Sequence, residues 1–112
     1  METKDVIGAL AALAQESRLA VFRLLVEIGP GGLPVGRIGE TLGIAPATLS
    51  FHIKELTRAG LVATQQQGRH IYCSADFDTM NAVLGYLTEN CCRGEVACTP
   101  ANPRCTPDKE TS

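Results

Sequence analysis

Five cysteines in a 112-residue chain offer the most distinctive chemistry, and four of them crowd its last quarter: Cys91, Cys92, Cys98 and Cys105, with Cys73 standing apart. The N-terminus lacks the basic-then-apolar layout of an export signal, so the thiols are expected to stay reduced and a disulfide scaffold is not expected. Reduced thiols that cluster point to metal, metalloid or redox chemistry. The adjacent pair Cys91-Cys92, with Cys98 six residues on, supplies three sulfurs. A soft trivalent metalloid such as arsenite, As(III), or antimonite, Sb(III), prefers thiolates and takes three of them in a pyramid whose fourth corner is a lone pair. Zinc more often takes four ligands with C-x₂₋₄-C spacing. Cys105 can add a fourth thiolate, but that spacing is absent and neither His52 nor His70 lies near in sequence. Cadmium and lead stay open on chemistry alone, as does a thiol-redox response.

Plainer roles compete for the same residues. Cys73, between Tyr72 and Ser74, suits a small buried strand residue. Cys91 extends an apolar helical stripe, and Cys105 sits in a Pro-flanked segment where it can be incidental. The C-terminal end of a helix is its negative pole and disfavours a thiolate, with Arg93 offsetting part of that. Deprotonation driven by a bound ion fits this setting better than an intrinsically reactive thiol. Cys98 to Arg104 also matches C-x₅-R, the oxyanion loop of small phosphatases and arsenate reductases. Such a loop needs successive backbone N–H groups, and Pro100 and Pro103 have none. An enzymatic reading is the remote alternative.

The elements that must carry these residues can be read from periodicity. Asp5 to Gln15 reads as a short helix through Val6, Leu10 and Leu13. A second follows from Ser17 as N-cap, with Leu19, Phe22, Leu25 and Val26 on one face, and stops at Gly29-Pro30-Gly31-Gly32. Pro34 suits the first position of a third helix with Val35, Ile38 and Leu42 inward. Gly36 and Gly39 weaken that helix by roughly 1 kcal/mol each, so it must lean on its neighbours. Gly43 supplies a left-handed turn residue, and Pro46 opens a fourth helix with Leu49, Ile53 and Leu56 inward. The period then becomes alternating: Leu61 to Gln66 and Arg69 to Ser74 read as strands around Gln67-Gly68. Asp76 or Asp78 caps a last helix with Phe77, Met80, Leu84 and Leu87 as its stripe, which Cys91 continues. The expected fold is mainly α with a small β-hairpin, in the order α-α-α-α-β-β-α: a winged helix-turn-helix. Residues 1–92 are expected to form the DNA-binding and dimerisation domain, and 93–112 a flexible tail.

Two short helices joined by a glycine turn and followed by a hairpin place the second helix in a DNA major groove. Net charge is −2, yet between Pro46 and Ser74 the charged side chains are Lys54, Arg58 and Arg69 against Glu55 alone. That locally positive stretch suits phosphate contact. Helical spacing turns Ala47, Ser50, Phe51, Lys54 and Arg58 outward, with Thr48 at the flank. Thr48 and Ser50 can hydrogen-bond bases or phosphates, Phe51 can touch a thymine methyl, and Lys54 can neutralise phosphate. Arg69 beside the hairpin tip suits a phosphate or the minor groove. His52 joins the candidate interface, although its place beside the Leu49–Ile53–Leu56 stripe also suits packing. Phe51 folded into the core, and Lys54 and Arg58 as ordinary solvated charges, are the competing readings.

The run Leu42-Gly43-Ile44-Ala45-Pro46-Ala47-Thr48-Leu49-Ser50-Phe51-His52-Ile53-Lys54-Glu55-Leu56, followed by Ala59-Gly60-Leu61-Val62, resembles the helix-turn-helix of the ArsR/SmtB family of metal-responsive repressors. Leu13 to Leu19 is similar to that family's first helix junction, and Gly68-Arg69 with Tyr72 to its wing. The resemblance spans about Leu10 to Leu87. It implies a homodimer packed through the first and last helices, which binds an imperfect inverted repeat in double-stranded DNA and loosens when its inducer binds. Two departures stand out. Ala45 occupies a position where the family often has a capping serine, and Leu33-Pro34-Val35-Gly36 carries no thiol where arsenic- and cadmium-sensing members have C-x-C. A thiolate site must therefore lie elsewhere, which returns attention to Cys91, Cys92 and Cys98, with Cys105 as an additional ligand. No apolar run approaches a membrane span, and a cytoplasmic protein without membrane partners is expected.

Overall fold

The computed structural model describes residues 1–90. Five helices and a small sheet follow in the order α1 (Thr3–Leu13), α2 (Glu16–Ile28), β1 (Leu33–Pro34), α3 (Val35–Leu42), α4 (Pro46–Arg58), β2 (Val62–Gln67), β3 (His70–Ala75) and α5 (Phe77–Leu87). The expected order is present, with one addition: β1 pairs antiparallel with β3, Leu33 opposite Cys73 and Pro34 opposite Tyr72, so the hairpin becomes a three-stranded sheet in the order β1-β3-β2. Pro34 thus ends a strand and caps α3 from outside, where the sequence placed it at the first helical position.

Each element contributes a stripe to one core. Val6, Ala9 and Ala12 come from α1, Val21, Phe22 and Leu25 from α2, Ile38 from α3, and Leu49, Ile53 and Leu56 from α4. Leu61, Val62, Cys73 and Ala75 close it from the sheet side and Val83 from α5. Small residues on α1 let its backbone lie close to its neighbours, which suits an alanine-rich helix with little side-chain entropy to lose.

Helix ends show where local chemistry decided. The α2 N-cap is Gln15 rather than Ser17: the Gln15 side chain accepts from the Arg18 N–H at 2.9 Å. Asp76 caps α5 as expected, accepting from the Thr79 N–H at 3.0 Å. The far end of α5 closes earlier than the sequence implied. Thr88 Oγ1 donates to the Leu84 carbonyl at 2.8 Å, and Asn90 takes a left-handed φ of 61°. The helix ends at Leu87, and Cys91, the expected next residue of its stripe, lies outside the described residues. Its inward residue is Val83, while Leu87 is 56% exposed. The expected stripe is half right: Phe77 and Met80 pack on the core and Leu87 does not.

Candidate nucleic-acid interface

Between α3 and α4 the backbone must turn sharply within three residues. Gly43 does this in the left-handed region at φ 68°, where a side chain would be strained, and its N–H bonds back to the Gly39 carbonyl. The two helices then approach closely at Gly39: a Cβ there would lie 3.1 Å from the Ile44 carbonyl oxygen and 3.3 Å from Leu49 Cδ2. The glycine that weakens α3 on propensity is what lets α4 seat against it. Pro46 starts α4 after Ala45, which offers no side-chain cap, as the sequence indicated.

With Leu49, Ile53 and Leu56 turned inward, the opposite face of α4 meets solvent. Ala47, Thr48, Ser50, Phe51, Lys54 and Arg58 are all exposed, as helical spacing required. Phe51 and His52 invert the ordinary order of hydrophobicity. Phe51 is 55% exposed, whereas His52 is 7% exposed and the one polar residue buried among those described. The His52 ring nitrogen Nδ1 lies 3.4 Å from Arg18 Nη1 of α2. His52 is thus turned toward α2, in the packing role that its place beside the Leu49–Ile53–Leu56 stripe also suited. The exposed phenyl ring has no such structural reason and remains on the outward face.

Arg58 pairs with the half-buried Glu55 at 3.5 Å, and its own exposed guanidinium stays free to exchange partners. Beside α4 stands the wing. Its loop is Gly68-Arg69, one residue later than the sequence suggested, with Gln67 paired to His70. Gly68 takes φ 64° and Arg69 does not, which is the pattern of a II′ hairpin turn and explains the shift: only the glycine accepts the first loop position. Arg69 thus sits in the tip itself.

Sequence reading overlooked the wing's flank. Thr64, Gln65, Gln66 and Gln67 are all exposed, so β2 has no buried face after Val62. A half-buried strand alternates, and the unbroken polar run was the available signal. These amides can donate to phosphate oxygens. Between α4 and the wing runs a groove of about 480 Å³ whose lining includes Ile53 and Ile71 together with Ser50, Lys54, Arg58 and Thr64. It presents apolar and hydrogen-bonding surface with two cations beside it, which suits a sugar-phosphate strand.

Cys73 behaves as the plainer reading expected. It is fully buried in β3, and burial pushes its thiol up to about 11. Such a thiol is neutral and inaccessible, and binds no ion. Cys91, Cys92, Cys98 and Cys105, like the Cys98–Arg104 segment, lie outside the described residues. Among the described residues no group of three His, Cys, Asp or Glu side chains is placed to hold a metal ion. No described helix is long and apolar enough to cross a membrane.

Comparison with known proteins agrees with this geometry. A helix-turn-helix domain family matches residues 13–65. An uncharacterised HTH-type transcriptional regulator, YceK of Bacillus subtilis, is 43% identical over 77 residues, which cover 68% of this chain and 76% of that protein. The putative arsenical resistance operon repressor ArsR of Halobacterium salinarum is 33% identical over 63 residues, covering 56% of this chain and 48% of that one. A crystal structure of an ArsR family transcriptional regulator superposes with a TM-score of 0.68 at 27% identity, covering 80% of this chain and 90% of the other. The matched domain and fold are those of a DNA-binding regulator rather than an enzyme. The chain belongs to the ArsR/SmtB family of winged helix-turn-helix transcriptional regulators.

Proposed function

We propose that this regulator is a homodimeric repressor that holds an imperfect inverted repeat in double-stranded DNA and releases it when As(III), or Sb(III), binds the thiolates of Cys91, Cys92 and Cys98, with Cys105 as an additional ligand. The observation that carries the DNA half is the outward face of α4, where Thr48, Ser50, Phe51 and Lys54 lie exposed beside the Arg69 wing. Thr48, Ser50 and Phe51 meet base edges, while Lys54, Arg58 and Arg69 meet phosphates.

The dimer is supported by apolar surface that the single chain leaves uncovered. On α1, Ile7 is 60% and Leu10 40% exposed, and on α5 Leu87 is 56% exposed. The two helices are neighbours, joined by a hydrogen bond between the hydroxyls of Thr3 and Tyr86. Covering these residues with a second copy sets the spacing of two α4 helices at about 34 Å, one turn of duplex.

The inducer reading rests on donor chemistry and on likeness. Three thiolates suit a soft trivalent ion, Cys73 is withdrawn by burial, and one relative is a putative arsenical resistance repressor. Cys91 follows Leu87 by four residues in sequence, so an ion bound there can reorganise the interface between copies. A coupling of about 1–3 kcal/mol is typical of such linkage.

The DNA half is tested by fluorescence anisotropy on a duplex recovered by in vitro selection with the reduced full chain. Lys54→Ala should weaken binding across sequences and lower the slope of log affinity against log salt by about one per contact. Unchanged affinity and slope would remove this face of α4 from the interface.

A further inference from the structure

His52 is buried with a single polar partner, and that partner does more than satisfy it. Arg18, near the start of α2, donates through Nε to the Ala12 carbonyl at 2.6 Å, while its Nη1 lies 3.4 Å from His52 Nδ1. Its own backbone N–H is held by the Gln15 side chain at 2.9 Å. A guanidinium can only donate, so His52 Nδ1 is the acceptor in this contact. The Ala12 carbonyl belongs to the last turn of α1, whose carbonyls have no partner within the helix. One planar side chain thus joins the end of α1, the start of α2 and the buried side of α4.

α1 and α4 also meet in the shared core, through Val6, Ala9 and Ala12 on one side and Leu49, Ile53 and Leu56 on the other. Beside that contact a cleft of about 360 Å³ is lined by Gly8, Ala11 and Ala12 of α1, Glu55, Arg58 and Ala59 near the end of α4, and Arg18. Gly8, Ala11 and Ala12 offer little side chain to interlock across that cleft, so the directional contacts of Arg18 add an orientation that the core packing does not itself dictate. α1 carries the uncovered Ile7 and Leu10, and α4 carries the reading face.

We infer that Arg18 and His52 form a positioning brace that sets the pitch of α4 against α1, and through it the separation of the two reading helices on DNA. This rests on the dimer reading above, because only a pair of α4 helices has a spacing to set. Neither residue touches DNA. Arg18 is suited to the task because its rigid fork reaches two acceptors in fixed directions, which the point charge of lysine does not.

The experiment measures affinity for the selected duplex, for versions with the half-site spacing changed by one base pair either way, and for a single half-site. Thermal midpoints are recorded for every variant. Wild type should prefer the selected spacing strongly. Arg18→Gln, Arg18→Lys and His52→Leu should flatten that preference about tenfold, a typical size for one charge-assisted contact, while half-site affinity stays as in wild type. His52→Gln, which restores an acceptor, should recover most of the preference. Combining Arg18→Gln with His52→Leu should cost no more than either change alone. Retention of full spacing preference by folded Arg18→Lys and His52→Leu proteins would overturn the brace. A wild-type chain that bound half-sites as a monomer would overturn the dimer reading and this inference together, and sedimentation of the free protein separates that outcome from the first.

Discussion

Phe51 holds an aromatic ring exposed on the outward face of α4, and truncating it separates two accounts of that helix. A phenylalanine buries about 150–250 Å² when fully covered, so a ring that is 55% exposed leaves about 100 Å² to be taken from water by a partner. At about 25 cal/mol per Å² complete coverage is worth about 2.5 kcal/mol. Contact with one thymine methyl covers about half of the ring, which gives about 1.3 kcal/mol, or tenfold, per half-site. Phe51→Ala should therefore weaken binding to the selected duplex about tenfold per half-site. Folding stability should move by only about 0.5 kcal/mol, as for other exposed positions. Replacing the contacted thymine with deoxyuridine removes the methyl alone, and the variant should be indifferent to that change while wild type is not. The assay is anisotropy on both duplexes, paired with urea unfolding. A stability loss of about 3–5 kcal/mol, the usual cost of deleting a packed ring, would refute the reasoning. So would equal sensitivity of wild type and variant to the missing methyl.

Leu49, 1% exposed and packed toward α3 near Gly39, should cost about 2–5 kcal/mol as Leu49→Ala in urea unfolding, with DNA affinity lost in proportion to the unfolded fraction. Arg69→Ala should weaken operator binding and reduce its salt dependence without altering the urea midpoint, since the residue lies in an exposed turn. Cys73 gives a pH test. Its folded thiol is held neutral up to about 11 against an ordinary 9.0, so its contribution to stability is full below pH 9.0 and declines as pH rises toward 11. That decline is on the order of 2–3 kcal/mol and should be flattened in Cys73→Ala when midpoints are followed between those pH values.

What was legible in the sequence was what neighbouring residues decide. Gly43 and Pro46 bracket the reading helix by their own backbone preferences, and Asp76 caps α5 through an amide three residues on. What escaped depends on residues far apart. β1 exists only because Leu33 and Pro34 meet Cys73 and Tyr72, and two residues carry no periodicity of their own. The hairpin tip moved by one residue because the φ demanded at its first position falls on Gly68. On α5 the helical spacing admitted two stripes, and contact with the rest of the fold chose the one through Val83. Hydrophobicity alone would bury Phe51 and expose His52. Arg18, thirty-four residues away, supplies the polar partner that makes the reverse arrangement tolerable. The outward set Thr48, Ser50, Lys54 and Arg58 followed from spacing and needed no such partner. The wing amides of β2 were missed because a strand was assumed to have a buried face.

The proposed link between the thiols and the reading heads is tested most directly by titrating the reduced protein–duplex complex with arsenite, with antimonite, cadmium, zinc and peroxide in parallel. Arsenite or antimonite should displace wild type, by about tenfold or more in affinity for a coupling near 1.4 kcal/mol. Replacing Cys91, Cys92 and Cys98 with serine should abolish that displacement while DNA binding itself persists. Displacement of the triple-serine protein by arsenite, or release of wild type by peroxide or zinc and not by arsenite, would contradict the assignment.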